Sequence, residues 1–115
     1  MNNLNASLEA SKKLHDAGII LETDFIYNSD GKLLYSPLVE RRDGDIPAPS
    51  MEEVWRELPE QHDGEYLRLF KDEGKTFCGY GEYADRWGNE NPADALIDLL
   101  IFVRKEQGNE NIGII

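Results

Sequence analysis

The chain is poor in the residues that most catalytic and metal sites use, with one cysteine and two histidines in 115 residues. Cys78 has no partner for an internal disulfide, which favours a reducing compartment. A thiol nucleophile would need a histidine and an orienting acid, and both His15 and His62 are distant in sequence. Three such residues are too few for a four-ligand structural zinc site. The sequence therefore predicts no catalytic, cofactor-binding or metal-binding residues.

Long apolar runs are also missing. No stretch reaches the roughly 18 apolar residues that indicate a membrane span. The first residues, MNNLNASLEASKK, lack the basic and then apolar order of a signal peptide. Together with the single cysteine, these features predict a cytoplasmic protein. With 115 residues, 40% of them hydrophobic, the chain is expected to form a single domain over 1–115.

Positive charge is scarce, because 12 Lys and Arg residues are set against 23 Asp and Glu residues, giving a net charge of −11. Binding to nucleic-acid phosphates or to anionic membranes depends on Lys and Arg, so we expect neither. The acidity is densest from Glu40 to Glu65, with nine acidic and three basic residues. It is compatible with a basic protein partner, with cation binding, or with solubility alone.

The longest apolar segment, Asn91 to Gln107, has the signals of a helix. Asn91 is a typical N-cap residue and Pro92 suits the first helical position. Gly108 is predicted to end the helix. Ile101 falls in the narrow polar stripe, where it is either a singly exposed apolar residue or a partner contact. The opposite face is apolar and is expected to be buried; its members are Leu96, Leu99, Leu100 and Val103.

Two shorter helices are predicted upstream. Ser7 is expected to cap the first, which Gly18 ends. Ser50 opens the second with an S-x-x-E capping box, and Pro59 ends it. The second helix has one apolar stripe through which it should pack, made of Met51, Val54, Trp55 and Leu58.

Two hairpins complete the pattern. Residues 24–27 and 32–35 flank an Asn-Ser-Asp-Gly turn, in which Gly31 should take positive φ, and residues 66–70 and 76–80 flank a second glycine-containing turn. The order α-β-β-α-β-β-α predicts an α+β fold. We expect one antiparallel sheet of about four strands, with the helices mainly on one face. The isoleucine-rich tail, 109–115, should either dock on the domain or contact a second copy.

Several segments carry a family resemblance, and they occur in the same order as in that family: Ser7 to Leu14 with Ala17 to Ile19, Asp45 to Ser50, Trp55 to Pro59, and Asn91 to Leu96. Over most of its length the chain resembles small proteins encoded by phages and prophages of gut bacteria, especially Bacteroides and its relatives. The resemblance implies a mobile-element origin in a bacterial cytoplasm. It implies no catalytic residue.

Three functions fit these observations, and a protein-binding module without catalytic activity is the preferred one. Its partner would be an unidentified protein, and a homodimer is also compatible with the chain. The contact residues expected for such a module are Glu52, Glu53, Trp55, Glu57 and Ile101. One alternative is a DNA mimic, whose carboxylates take the place of phosphates and block a nucleic-acid-binding protein. The other is an enzyme without a recognisable motif.

Overall fold

The computed structural model describes residues 5–36, 42–83 and 86–114. The regular elements of this part, in chain order, are α1 (Leu8–Asp16), β1 (Phe25–Tyr27), β2 (Leu33–Tyr35), β3 (Ile46–Pro47), α2 (Met51–Glu57), β4 (Gln61–His62), β5 (Glu65–Asp72), β6 (Lys75–Tyr80), a 3₁₀ turn (Gly81–Tyr83), β7 (Trp87–Asn89) and α3 (Pro92–Ile114). The α+β class and the order of helices and hairpins are confirmed.

The strands form two antiparallel sheets rather than the single sheet expected from the sequence. One has the order β2-β1-β3 and the other β4-β5-β6-β7. Strand β3 adds to the first hairpin, and β4 and β7 flank the second. Both strands of the second hairpin therefore have neighbours on each side and cannot also pair with the first hairpin. Strand β3 contains Pro47 and lies at an edge, where a missing backbone N–H is tolerated.

Local turn chemistry sets the register of both sheets. Gly31 takes the predicted positive φ, at 78°, and the Asn28 side chain accepts hydrogen bonds from the amides of Asp30 and Lys32. A tight turn that was not predicted joins β4 to β5. Its two residues, Asp63 and Gly64, have φ of 54° and 82°. Positive φ at both positions is the geometry of the type I′ hairpin turn.

Helix α3 provides most of the core. It packs on β6 and β7 and also contacts α1 and α2. Its predicted apolar face is fully buried, comprising Leu96, Leu99, Leu100 and Val103. Asn91 caps the helix as expected, since its Oδ1 accepts from the amide of Ala93 at 2.9 Å.

The predicted end of α3 at Gly108 is wrong, because the helix continues to Ile114. A glycine inside a helix costs only about 1 kcal/mol, so a helix can either end at a glycine or continue through it. The side chains of 108–115 lie outside the described part of the chain, and so do the expected contacts of the tail. Among the described residues, no helix combines the length and apolar character needed to cross a membrane.

Helix α2 is held at its N-terminus by the predicted capping box. Ser50 Oγ accepts from the amide of Glu53 at 3.2 Å, and Glu53 Oε1 accepts from the amide of Ser50 at 2.8 Å. The helix packs through Val54 and Leu58, which are both buried. Trp55 shares their predicted stripe but stays 38% exposed, so it contributes less to the core than its size suggests.

Ser50→Ala should lower the free energy of unfolding by about 1 kcal/mol, because it removes the capping acceptor of a helix only two turns long. Urea denaturation followed by circular dichroism measures the change. Ser29→Ala, at an exposed position in the first hairpin turn, is the matched control and should stay within about 0.5 kcal/mol of the parent protein. Equal losses in the two variants would contradict a capping role.

Candidate functional site

Helix α2 lines two open grooves, which share Arg56. Of the predicted contact residues, Glu53 and Glu57 line one groove and Trp55 the other, whereas Glu52 and Ile101 line neither. Glu53 and Glu57, one turn apart, line one groove together with Glu22 and Asp24. We call this the acidic groove; it encloses about 1090 Å³. Only Arg56 contributes a positive charge among the residues that line it. A cationic group would therefore be favoured there.

Two of the predicted acidic residues already have partners inside the fold. Glu53 is half-buried, and besides its capping bond its Oε2 accepts from the amide of Asp24 at 3.1 Å. Glu57 Oε1 lies 3.2 Å from Arg104 Nη2 of α3. Glu52 is exposed at the start of α2. Glu53 is thus mainly structural, and Glu57 is partly neutralised by a surface ion pair.

On the other flank of α2, Trp55 and Tyr66 line a second groove, of about 440 Å³, which we call the Trp55 groove. Trp55 is 38% exposed and Tyr66 59% exposed. Leu58 and Leu67 provide apolar surface between the helix and strand β5, while Glu60 adds a negative and Arg56 a positive charge. Exposed Trp and Tyr side chains in an apolar depression are typical of binding hot spots.

A third concave region surrounds His62 at the end of β4, and we call it the His62 cavity. The tight Asp63-Gly64 turn places His62 opposite Glu65 in the hairpin. The cavity encloses about 230 Å³. Among the described residues it shares none of its lining with the Trp55 groove. It is therefore a separate site.

Aromatic rings form the walls of the His62 cavity. The His62 ring centroid lies 5.5 Å from that of Tyr80 and 6.4 Å from that of Phe102, and Phe102 lies 4.8 Å from Trp87. The Tyr80 hydroxyl donates to the carbonyl oxygen of Pro59 at 2.6 Å. Burial raises the pKa of Tyr80 to about 12, so the phenol remains a proton donor at neutral pH.

The His62 imidazole lies close to two carboxylates in the His62 cavity. His62 Nε2 is buried and has no hydrogen-bond partner, while the side chain as a whole is 11% exposed. Carboxylate oxygens of Asp63 and Glu106 lie 3.7 and 3.6 Å from Nε2. Both distances are too long for hydrogen bonds. The ring nitrogen thus lies between two acids without bonding to either.

No family model, curated protein or solved structure matches this chain.

Function must therefore be inferred from the grooves and the cavity themselves. Of the predicted contact residues, Glu52, Trp55 and Glu57 lie on exposed parts of α2. Ile101 is half-buried and packs against the core, so it is not one of the exposed apolar side chains. Trp55 and Tyr66 are the exposed aromatic side chains among the described residues that line the Trp55 groove.

Cys78 is a core residue of β6. Its thiol lies 3.4 Å from the carbonyl oxygen of Ala95 and 3.7 Å from that of Trp87, close enough for weak S–H hydrogen bonds. Burial, with a smaller effect of the Asp98 charge, raises its pKa to about 12. A buried, protonated thiol is a poor nucleophile and a poor metal ligand.

Sequence reasoning missed the His62 cavity. His62 and Glu106 are 44 positions apart and belong to different elements, so no local spacing connects them. One signal was available, since Asp63-Gly64 is a strong hairpin dipeptide. It would have placed a turn directly after His62, but it could not have shown that α3 brings Glu106 to the same point.

Proposed function

We propose that this protein is a binding module whose helix α2 receives a basic segment of a partner protein. The observation that carries the proposal is the exposure of Trp55 and Tyr66 in one groove, with the acidic groove lined by the same helix. An Arg or an apolar side chain of the partner would fill the Trp55 groove. Lys or Arg side chains would face Glu22 and Asp24 across the helix.

The charge of the chain supports a basic partner. A net charge of −11 repels acidic proteins and nucleic acids and speeds encounter with cationic ones. Arginine suits the Trp55 groove best, because its planar guanidinium stacks on aromatic rings while remaining charged. The resemblance to phage and prophage proteins favours a partner in a bacterial cytoplasm.

A DNA mimic is the alternative, and the structure supplies a physical argument against it. Mimicry needs carboxylates arranged in place of phosphates, available to a DNA-binding protein. Glu53 is committed to backbone amides and Glu57 to Arg104. Because these two carboxylates already have partners, α2 offers fewer free carboxylates to a DNA-binding protein than its sequence suggests.

Trp55→Ala should weaken binding of the partner segment by about tenfold or more, because a central aromatic anchor in an apolar groove contributes a large share of binding energy. The measurement begins with selection of a random peptide display library on the full-length protein. Selected peptides should be enriched in Arg and Lys together with an apolar or aromatic residue. Their affinities are then compared by calorimetry.

Tyr66→Ala should weaken binding of the same peptides. Tyr35→Ala is the matched control, because Tyr35 is also an exposed tyrosine, at 43% against 59% for Tyr66, but lies in β2. Glu52→Lys should reduce affinity mainly at low salt, where surface charges are least screened.

Peptides that bind the Trp55→Ala, Tyr66→Ala double variant as well as the parent protein would overturn the proposal. Capture of a DNA-binding protein from a lysate, abolished by excess DNA, would favour mimicry instead.

A further inference from the structure

The His62 cavity places three metal-ligating side chains around one point. His62 Nε2 and one carboxylate oxygen each of Asp63 and Glu106 all lie within 4.8 Å of one another. Asp63 follows His62 directly in the β4–β5 turn, and Glu106 reaches the point from helix α3. We propose that these three side chains bind one divalent transition-metal ion of the Zn²⁺ class. This metal site does not depend on the binding of a partner at the α2 grooves.

The state of the imidazole is the second observation that points to a ligand. Nε2 is buried without a hydrogen-bond partner in a side chain that is about nine-tenths buried. Buried polar atoms in native proteins are nearly always paired, so an unpaired one calls for an explanation. The Tyr80 hydroxyl donates its proton to Pro59, so it has no proton to donate to Nε2. A metal ion at Nε2 would satisfy the nitrogen and both acids together.

The three atoms could hold a small ion if the two carboxylates moved inward. Ligands about 2.0–2.2 Å from a tetrahedral ion lie about 3.3–3.6 Å from one another. The observed separations from Nε2 are 3.6 and 3.7 Å, and the three ligand atoms lie within 4.8 Å of one another. The side chains of Asp63 and Glu106 are about two-thirds and one-third exposed, so they are free to move inward. His62, fixed by the rings of Tyr80 and Phe102, would hold the centre in place.

The ligand set selects the class of metal. One imidazole and two carboxylates suit Zn²⁺, Co²⁺ or Mn²⁺, whereas Ca²⁺ requires about six or more oxygen ligands. Besides the three proposed ligands, the cavity is lined by Tyr80, Trp87, Phe102, Arg86 and Glu65, so Glu65 is the one further carboxylate among its described lining residues. With three protein ligands, a tetrahedral ion would keep one position for water or a small anionic ligand on the cavity side.

An ion pair of protonated His62 with the two acids is the competing explanation, and metal titration distinguishes the two. Full-length, tag-free protein, stripped with a chelator, is titrated with Zn²⁺ by calorimetry and with Co²⁺ by visible absorption. We expect one equivalent to bind, with no competition from a hundredfold excess of Mg²⁺. Histidine ¹⁵N NMR of the unsubstituted protein should show Zn²⁺ shifting the Nε2 resonance of His62.

His62→Gln and Glu106→Gln should each weaken Zn²⁺ binding by about tenfold or more, given that even outer-shell changes reduce metal affinity 10–100-fold. His15→Gln is the matched control, since His15 is the other histidine and lies exposed on α1; it should bind like the parent protein. Circular dichroism verifies that each variant is folded.

The proposal is overturned if Zn²⁺ leaves the His62 resonances unchanged. It is equally overturned if binding is no tighter than Mg²⁺ binding and spreads over many of the 23 acidic residues.

Discussion

At pH 8, Cys78 of the folded protein should react with iodoacetamide at least about a hundred times more slowly than Cys78 of the unfolded chain. The reactive species is the thiolate, and burial raises the pKa of this thiol from the ordinary 9.0 to about 12. That rise leaves about a thousandth as much thiolate at pH 8. The side chain is also fully buried between β6 and α3, so the reagent cannot approach it without local opening.

The reaction is followed by mass spectrometry with and without urea. Ser29→Cys in a Cys78→Ser background is the control, because residue 29 is exposed in the first hairpin turn; it should react at similar rates in both states. Rapid labelling of Cys78 in the folded parent protein would show that the thiol is accessible and acidic. A thiol-dependent activity would then again be a candidate function.

The raised pKa also predicts how stability depends on pH. Below pH 9 the thiol is protonated in both states, and its contribution to the unfolding free energy is fully present. Between the unfolded pKa of 9.0 and the folded value of about 12, the unfolded chain loses a proton that the folded protein retains. The free energy of unfolding should therefore fall as pH rises through this range. Tyr80 acts in the same direction, because burial raises its pKa from 10.0 to about 12.

Leu99→Ala should lower the free energy of unfolding by about 3–4 kcal/mol, which is a large share of the stability of a small domain. Leu99 lies on the buried face of α3 and is 0% exposed. Truncation removes apolar contacts and leaves a cavity that the helix and sheet cannot fully close. Urea denaturation monitored by circular dichroism measures the loss.

Ile20→Ala is the control for this effect, because Ile20 is similarly large and apolar but 64% exposed. It should change stability by less than about 1 kcal/mol. If the two substitutions were equally costly, the burial of α3 would not be what stabilises the fold. Because α3 also carries Phe102 and Glu106, its stability bears directly on the integrity of the His62 cavity.

The grooves and the cavity suggest different uses for two parts of one small domain. The α2 surface exposes large aromatic rings beside unbalanced negative charge, an arrangement suited to a basic protein segment. The His62 cavity is smaller and more enclosed, and it concentrates polar atoms on one imidazole. A metal ion there would join β4 to α3 and would stabilise the folded state by mass action.

The amino-acid sequence by itself determined the features that depend on a few neighbouring residues. Asn91 and Ser50 were predictable caps, because a cap is made within one turn of helix. Gly31 was predictable as a turn residue, because its φ is required by the turn alone. The buried face of α3 followed from spacing, since helical periodicity decides which side chains point together.

Only the tertiary structure decided which distant segments meet. The separation of the hairpins into two sheets depends on the short strands β3, β4 and β7, of which β3 pairs with β1 about 20 positions away and β7 with β6 about ten positions away. The capping role of Glu53 was predictable from the sequence, but its hydrogen bond from the amide of Asp24 was not, because Asp24 is 29 positions away. The approach of Glu106 to His62 was not visible at all. Contacts of this kind are set by how whole elements pack, and no local propensity encodes them.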